Sequence, residues 1–135
     1  MLMPCEVAVK SVVPSIRAYV AIELTQTYNM RQVDVAALLG ITQTAISKYT
    51  TQVRGAVLKI DQTQEIQTML REIAKQLANQ EMTLTQKDLV TQFCEVCKIV
   101  RKEGIMCSLC KRSDPRLNTK TCKVCKSDNI ACVKK

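Results

Sequence analysis

The sequence predicts an all-α protein: two short helices joined by a glycine turn, two longer helices after them, and a small cysteine-rich end. Three observations lead there. The 135 residues hold four aromatics (Tyr19, Tyr28, Tyr49 and Phe93), three glycines and no long Val/Ile/Thr alternation, which disfavours sheets. Apolar residues recur at spacings of three and four through most of the first hundred positions. Seven of the eight cysteines lie beyond residue 93, in a segment with little apolar material of its own.

Each element has its own signal. In "VVPSIRAYVAIELTQTY", Pro14 suits a first helical turn, and Ile16, Val20 and Leu24 make a stripe beside the more polar Tyr19 and Glu23. "MRQVDVAALLG" is a short helix that Gly40 can end in a left-handed conformation. "ITQTAISKYTTQV" follows, with Thr42 as N-cap. "RGAVLKID" fits either a short strand or the last part of that helix. "QTQEIQTMLREIAKQLANQ" spaces Ile66, Met69, Leu70, Ile73 and Leu77 as one amphipathic face. "TLTQKDLVTQFCEVCKIVRKEG" is a further helix, capped by Thr85 and closed near Gly104, with Leu89, Val90, Phe93, Val96 and Val100 as its apolar face. Beyond Pro115 the chain turns to Lys, Thr, Asn and Ser, and order there is expected only with bound metal.

The formal charge of +8 is unevenly spread. Residues 1–93 carry nine Lys/Arg against eight Asp/Glu, whereas residues 94–135 carry eleven against four, a net of +7. A basic end beside a near-neutral body calls for an anionic partner, of which nucleic acid is the commonest. Four thiolates around one divalent ion would reduce that end to about +5. No secretory leader pattern opens the chain, and no apolar run approaches the roughly 20 residues that span a bilayer. A cytoplasmic protein without membrane contact is the expectation, and in that compartment Cys-x-x-Cys pairs hold metal or do redox chemistry more often than they form disulfides.

At 100° per residue, Gln43, Thr44, Ser47 and Lys48 share one arc of the helix after Gly40, while Ala45, Ile46 and Tyr49 share the opposite one. The polar arc holds what a major groove can receive: Gln for adenine, Lys for guanine, and the Thr44 methyl for thymine. The run "RQVDVAALLGITQTAISKY" resembles the Cro/C1-type (lambda-repressor-like, XRE) helix-turn-helix at Gln32, Val35, Ala36, Gly40, Ile41, Thr42, Gln43, Ile46 and Ser47. The layout with a leading Pro14 helix and a Cys-rich end also resembles a group of archaeal predicted transcriptional regulators. The resemblance implies a helix-turn-helix DNA-binding domain whose second helix enters the groove at Thr42, Gln43, Thr44, Ser47 and Lys48, with Gln32 on phosphate. It implies double-stranded DNA as partner and a homodimer, because one such unit reads only a few base pairs. Dimer surfaces are sought at Val57, Leu58 and Ile60, or on the spare face of the helix holding Met69 and Ile73.

"CEVCKIVRKEGIMCSLC" contains two Cys-x-x-Cys pairs. Cys94 and Cys97 sit at i and i+3 of a helix, and Gly104 lets Cys107 and Cys110 fold back, so four sulfurs could surround one ion at about 2.3 Å. The chain has no histidine, which leaves thiolates or carboxylates as ligands. Structural zinc is the first expectation, an iron–sulfur cluster the alternative, and thiol–disulfide switching without metal the third. Cys122 and Cys125 form a possible additional pair, and Cys107 and Cys110 could join it across eleven residues instead; the first two pairs are preferred because a helix positions Cys94 and Cys97 in advance. Cys5 reads as a small apolar residue on a mobile terminus.

The chain thus divides into a DNA-binding domain (1–60), a helical connector and possible dimerisation region (61–103), and an overlapping metal-binding segment with a basic tail (94–135). The expected function is a DNA-binding transcriptional regulator with a structural zinc site, or with an iron–sulfur cluster a redox or iron sensor. From other classes come a thiol redox protein, which lacks the βαβ context of thioredoxin-like proteins, and a metal-stapled interaction module. No Gly-rich phosphate loop, paired carboxylates or His-containing set suggests an enzyme.

Overall fold

The computed structural model describes residues 3–56, 59–60, 63–79 and 86–126, and among them it is all-α with no strand. The elements are α1 (Pro4–Lys10), α2 (Val12–Gln26), α3 (Gln32–Leu39), α4 (Gln43–Ala56), α5 (Gln64–Ala78), α6 (Gln86–Lys102), α7 (Cys107–Ser113) and a 3₁₀ turn, Val124–Lys126. Of "RGAVLKID", Arg54 to Ala56 belong to α4, and Lys59 and Ile60 are in neither helix nor strand. Residues 57, 58, 61 and 62 lie outside the described part, as does the expected cap Thr85.

The helix expected from Val12 is preceded by a second one. Pro4 opens α1 at the position where a missing N–H costs nothing. The Glu6 carboxylate accepts the Met3 backbone N–H at 2.8 Å, while Val7 and Ala8 are buried. Ser11 separates α1 from α2 and donates its hydroxyl to the Val7 carbonyl at 2.6 Å. Ser15, also buried, donates to the Ser11 carbonyl at 2.7 Å.

One apolar cluster runs from Val7 to Met106. Its centre is α2, whose Val12, Ile16, Val20 and Leu24 are wholly buried. This helix packs against α1, α3, α4, α5 and α6. On α5 the expected face is realised by Ile66, Leu70, Ile73 and Leu77, with Met69 partly covered, and Thr63 caps it by accepting the Ile66 N–H. On α6, Val96 and Val100 are buried, whereas Val90 is 55% exposed and leaves the expected apolar face. Ile60, within one of the sought dimer surfaces, is 0% exposed in the chain's own core, and Ile73, on the helix whose spare face is the other, is 2% exposed. Val57 and Leu58 fall outside the described residues. No described helix is long and apolar enough to cross a membrane.

Past Pro115 the described residues run to Lys126. α6 ends at Lys102, and at Gly104, φ 75°, the chain turns back, the Ile105 N–H reaching the Val100 carbonyl at 3.3 Å and the Gly104 N–H that of Arg101 at 3.1 Å. This left-handed C-terminal turn reverses the chain into α7. Residues 114–121 then form turns tied by polar side chains, and Cys125 packs at the edge of the core.

Candidate nucleic-acid interface and thiol cluster

α3 stops at Gly40, φ 66°, and both the Gly40 and Ile41 N–H groups return to the Ala36 carbonyl. A residue with a side chain adopts that φ only at a cost, so glycine is the natural occupant. Val35, Ala36 and Ile46 are buried where α3 and α4 meet. Thr42 starts α4 by accepting the Ala45 N–H on its hydroxyl at 3.2 Å. Gln43, Thr44 and Lys48 are exposed, and Ser47 is half-buried. On the other arc Ile46 is fully buried, and the half-covered Tyr49 packs on the core. Gln32 opens α3 half-buried. Beside it, Arg31 is exposed and bound to Asp34, Nε to Oδ2 at 2.9 Å. That carboxylate holds the guanidinium above its ordinary pKa.

The cysteines divide differently from the sequence expectation. Cys107 and Cys110 project from α7, and the turns that follow return Cys122 and Cys125 to the same cavity, of about 130 Å³. Three polar anchors make that return. The Lys111 ammonium donates to the Pro115 and Leu117 carbonyls. The Asp114 carboxylate accepts the Arg116 N–H at 3.1 Å, and the Asn118 side-chain oxygen accepts the Lys120 N–H at 3.1 Å. Such local side-chain bonds are how Asp and Asn build turns without a core. Cys94 and Cys97 do not line the cavity, although Cys97 packs at the core's edge. The cavity gathers around Arg101, and Cys94 stands seven residues earlier, about 10 Å up the helix axis.

Arg101 itself escaped the sequence reading. It is 4% exposed, and its Nε donates to the Cys125 sulfur at 3.5 Å while Nη1 donates to that of Cys5 at 3.7 Å. Burial opposes its charge, yet the hydrogen bond to Cys125 and the proximity of Cys125, Cys5 and Cys97 outweigh it and raise its pKa. Cys5 is thus no stray apolar residue: it fixes α1 against the end of α6. Two signals were present in the sequence. Arg101 follows Cys97 by one helical turn, and Cys5 lies between the helix-starting Pro4 and Glu6.

Burial pushes the Cys110 thiol up, and the neighbouring Cys125, Cys107 and Cys122 push it further, with Arg101 pulling it down. Asp114 is shifted the other way, held below the ordinary carboxylate value chiefly by the Arg116 backbone N–H. As the side chains stand, no group of three or more Cys, Asp or Glu among the described residues is arranged to hold a metal ion. Cys132 lies outside the described residues. Comparison with known proteins finds no matching family model, no matching curated protein and no matching solved structure.

Proposed function

We propose that the chain is a sequence-specific DNA-binding transcriptional regulator whose reading element is the start of α4. The observation that supports this most is the division of that helix: Gln43, Thr44 and Lys48 outward, Ile46 wholly inward, directly after a turn made possible by Gly40. A solvated arc needs no particular side chains, but this one carries a bidentate amide, a cation and a methyl-bearing hydroxyl within six residues. In a major groove Gln43 pairs with an adenine edge, Lys48 reaches guanine, and Thr44 touches a thymine methyl. Ser47, half-covered, reaches only the nearer base or sugar. Thr42 accepts the Ala45 N–H and keeps its own hydrogen for a phosphate oxygen, the role Gln32 takes at the head of α3. The net +7 of residues 94–135 adds sequence-independent attraction. Two copies on half-sites one helical turn apart supply the specificity that one lacks.

Selection of the full chain against randomised duplexes tests the reading: an enriched, two-fold-related sequence is expected, and no enrichment over random DNA overturns it. On the selected site, Gln43→Ala and Lys48→Ala are each expected to weaken binding by about 1–3 kcal/mol and to relax preference at one base position. Equal losses on random DNA would move both residues to the phosphates.

A further inference from the structure

We propose that Cys107, Cys110, Cys122 and Cys125 together hold one thiolate-ligated metal centre, zinc or an iron–sulfur cluster, where α7 and the 114–126 turns close on the end of α6. The proposal is independent of DNA binding.

Four observations carry it. Two Cys-x-x-Cys pairs, one on a helix and one at a 3₁₀ turn, face a single cavity of about 130 Å³, and all four side chains are half-buried free thiols. The intervening loop is wired by Lys111, Asp114 and Asn118 into a shape whose consequence is to bring the second pair back to the first. An apolar core does not demand that return, since the loop contributes no fully buried apolar residue. Finally, a buried guanidinium points at the cluster. A centre of four thiolates carries a net charge of about −2 with a divalent ion or with a [4Fe–4S] core. Arg101, donating to Cys125 from a nearly inaccessible position, is the fixed positive charge and N–H donor such a centre needs.

Metal binding orders its own ligands, so the thiols need not stand in final geometry beforehand. With the backbone fixed, each sulfur moves by changing one staggered χ1 angle. A zinc ion would draw the four sulfurs to about 2.3 Å from itself and close the space between them. A cluster would fill that space. Cys94 and Cys97, the pair that helical spacing favours, belong to a different stretch of α6, and Cys97 there adjoins Arg101, one turn on, and the core.

The test uses the full chain purified without oxygen, with zinc, iron and acid-labile sulfide measured per chain. One zinc, or iron with matching sulfide and a brown absorption band, is expected. Thiol alkylation mapped by peptide mass, before and after chelation, is then expected to show Cys107, Cys110, Cys122 and Cys125 becoming reactive together while Cys94 and Cys97 keep their rates. Cys122→Ser is expected to lose the metal and the Cys94→Ser/Cys97→Ser double variant to keep it, with helix content followed in each. Protection centred on Cys94 and Cys97, or metal kept by Cys122→Ser, overturns the ligand set. A chain that takes up neither Zn²⁺ nor Fe²⁺ with sulfide overturns the centre itself. The alkylation map uses unaltered protein, so it decides even if a variant fails to fold.

Discussion

At Gly40 the backbone alone sets the cost of substitution. A Cβ there would meet no atom within 4 Å, yet φ is 66°. Gly40→Ala is therefore expected to destabilise the fold by about 1–2 kcal/mol with no packing change, and Gly40→Asn by less. A lower urea midpoint at unchanged slope checks it. Asp114 gives a pH-dependent residue effect. Its carboxyl is depressed by the Arg116 N–H, so its contribution is fully present above the ordinary value of 3.8 and fades as pH falls through the lower folded value. Asp114→Asn is expected to flatten that part of the acid stability curve, while Asp114 itself titrates below 3.8 by carbon-detected NMR. Gly40 was legible from sequence because a left-handed helix end names its residue type. Arg101 was not, because a basic residue near a helix C-terminus ordinarily points to water.

At the scale of single helices, α4 separates folding from reading. Ile46→Ala is expected to cost about 2–5 kcal/mol of stability, since the side chain is fully buried. Gln43→Ala on the exposed arc is expected to stay within about 0.5 kcal/mol. Measured together, a loss of stability without loss of base preference in the first, and the reverse in the second, would show the two arcs acting independently. On α5, Ile73→Ala is expected to destabilise by a similar 2–5 kcal/mol while leaving any self-association constant unchanged, because that residue is buried in the chain's own core. Sedimentation of the variant decides it. Val90 shows why one periodic face can be overestimated. Its spacing suits the core stripe of α6, but the stripe is wider than the surface its neighbours cover, and position 90 is left in solvent.

In the whole molecule, α2 touches α1, α3, α4, α5 and α6, so the α3–α4 pair and the long helices share one core. One cooperative unfolding transition is expected, seen as coincident melting by helix signal and by calorimetry. α1 extends that core to the thiols, for Cys5 accepts from Arg101 and Val7 lines the cavity. Charge acts at the same scale. Lys120, on the turns between the cysteine pairs, and Lys123, within the second pair, are both exposed. If this face lies on DNA, replacing both with Gln makes the slope of log K against log salt shallower by roughly 0.9 per lost phosphate contact. An unchanged slope places the face away from the duplex.

The sequence by itself determined the helical class, the positions of α2 to α6, the Gly40 turn and the sides of α4. Each of these is a local matter: periodicity, a cap or a left-handed φ is written in neighbouring residues. It also narrowed the thiol chemistry to pairs, through the spacing of Cys-x-x-Cys. Which pairs meet was decided only in three dimensions. Cys94 and Cys97 were favoured because one helix arrays them, but which thiols line the cavity beside Arg101 depends on where a loop returns. That return is fixed by Lys111, Asp114 and Asn118, whose hydrogen bonds carry no periodic signal. The tertiary structure likewise decided that Ile60 and Ile73 face inward, that α1 is a helix packed against α2 and α7, and that Arg101 is enclosed by thiols 96 and 24 residues away. Burial and charge pairing between distant segments are properties of the packed chain, and no short window of sequence contains them.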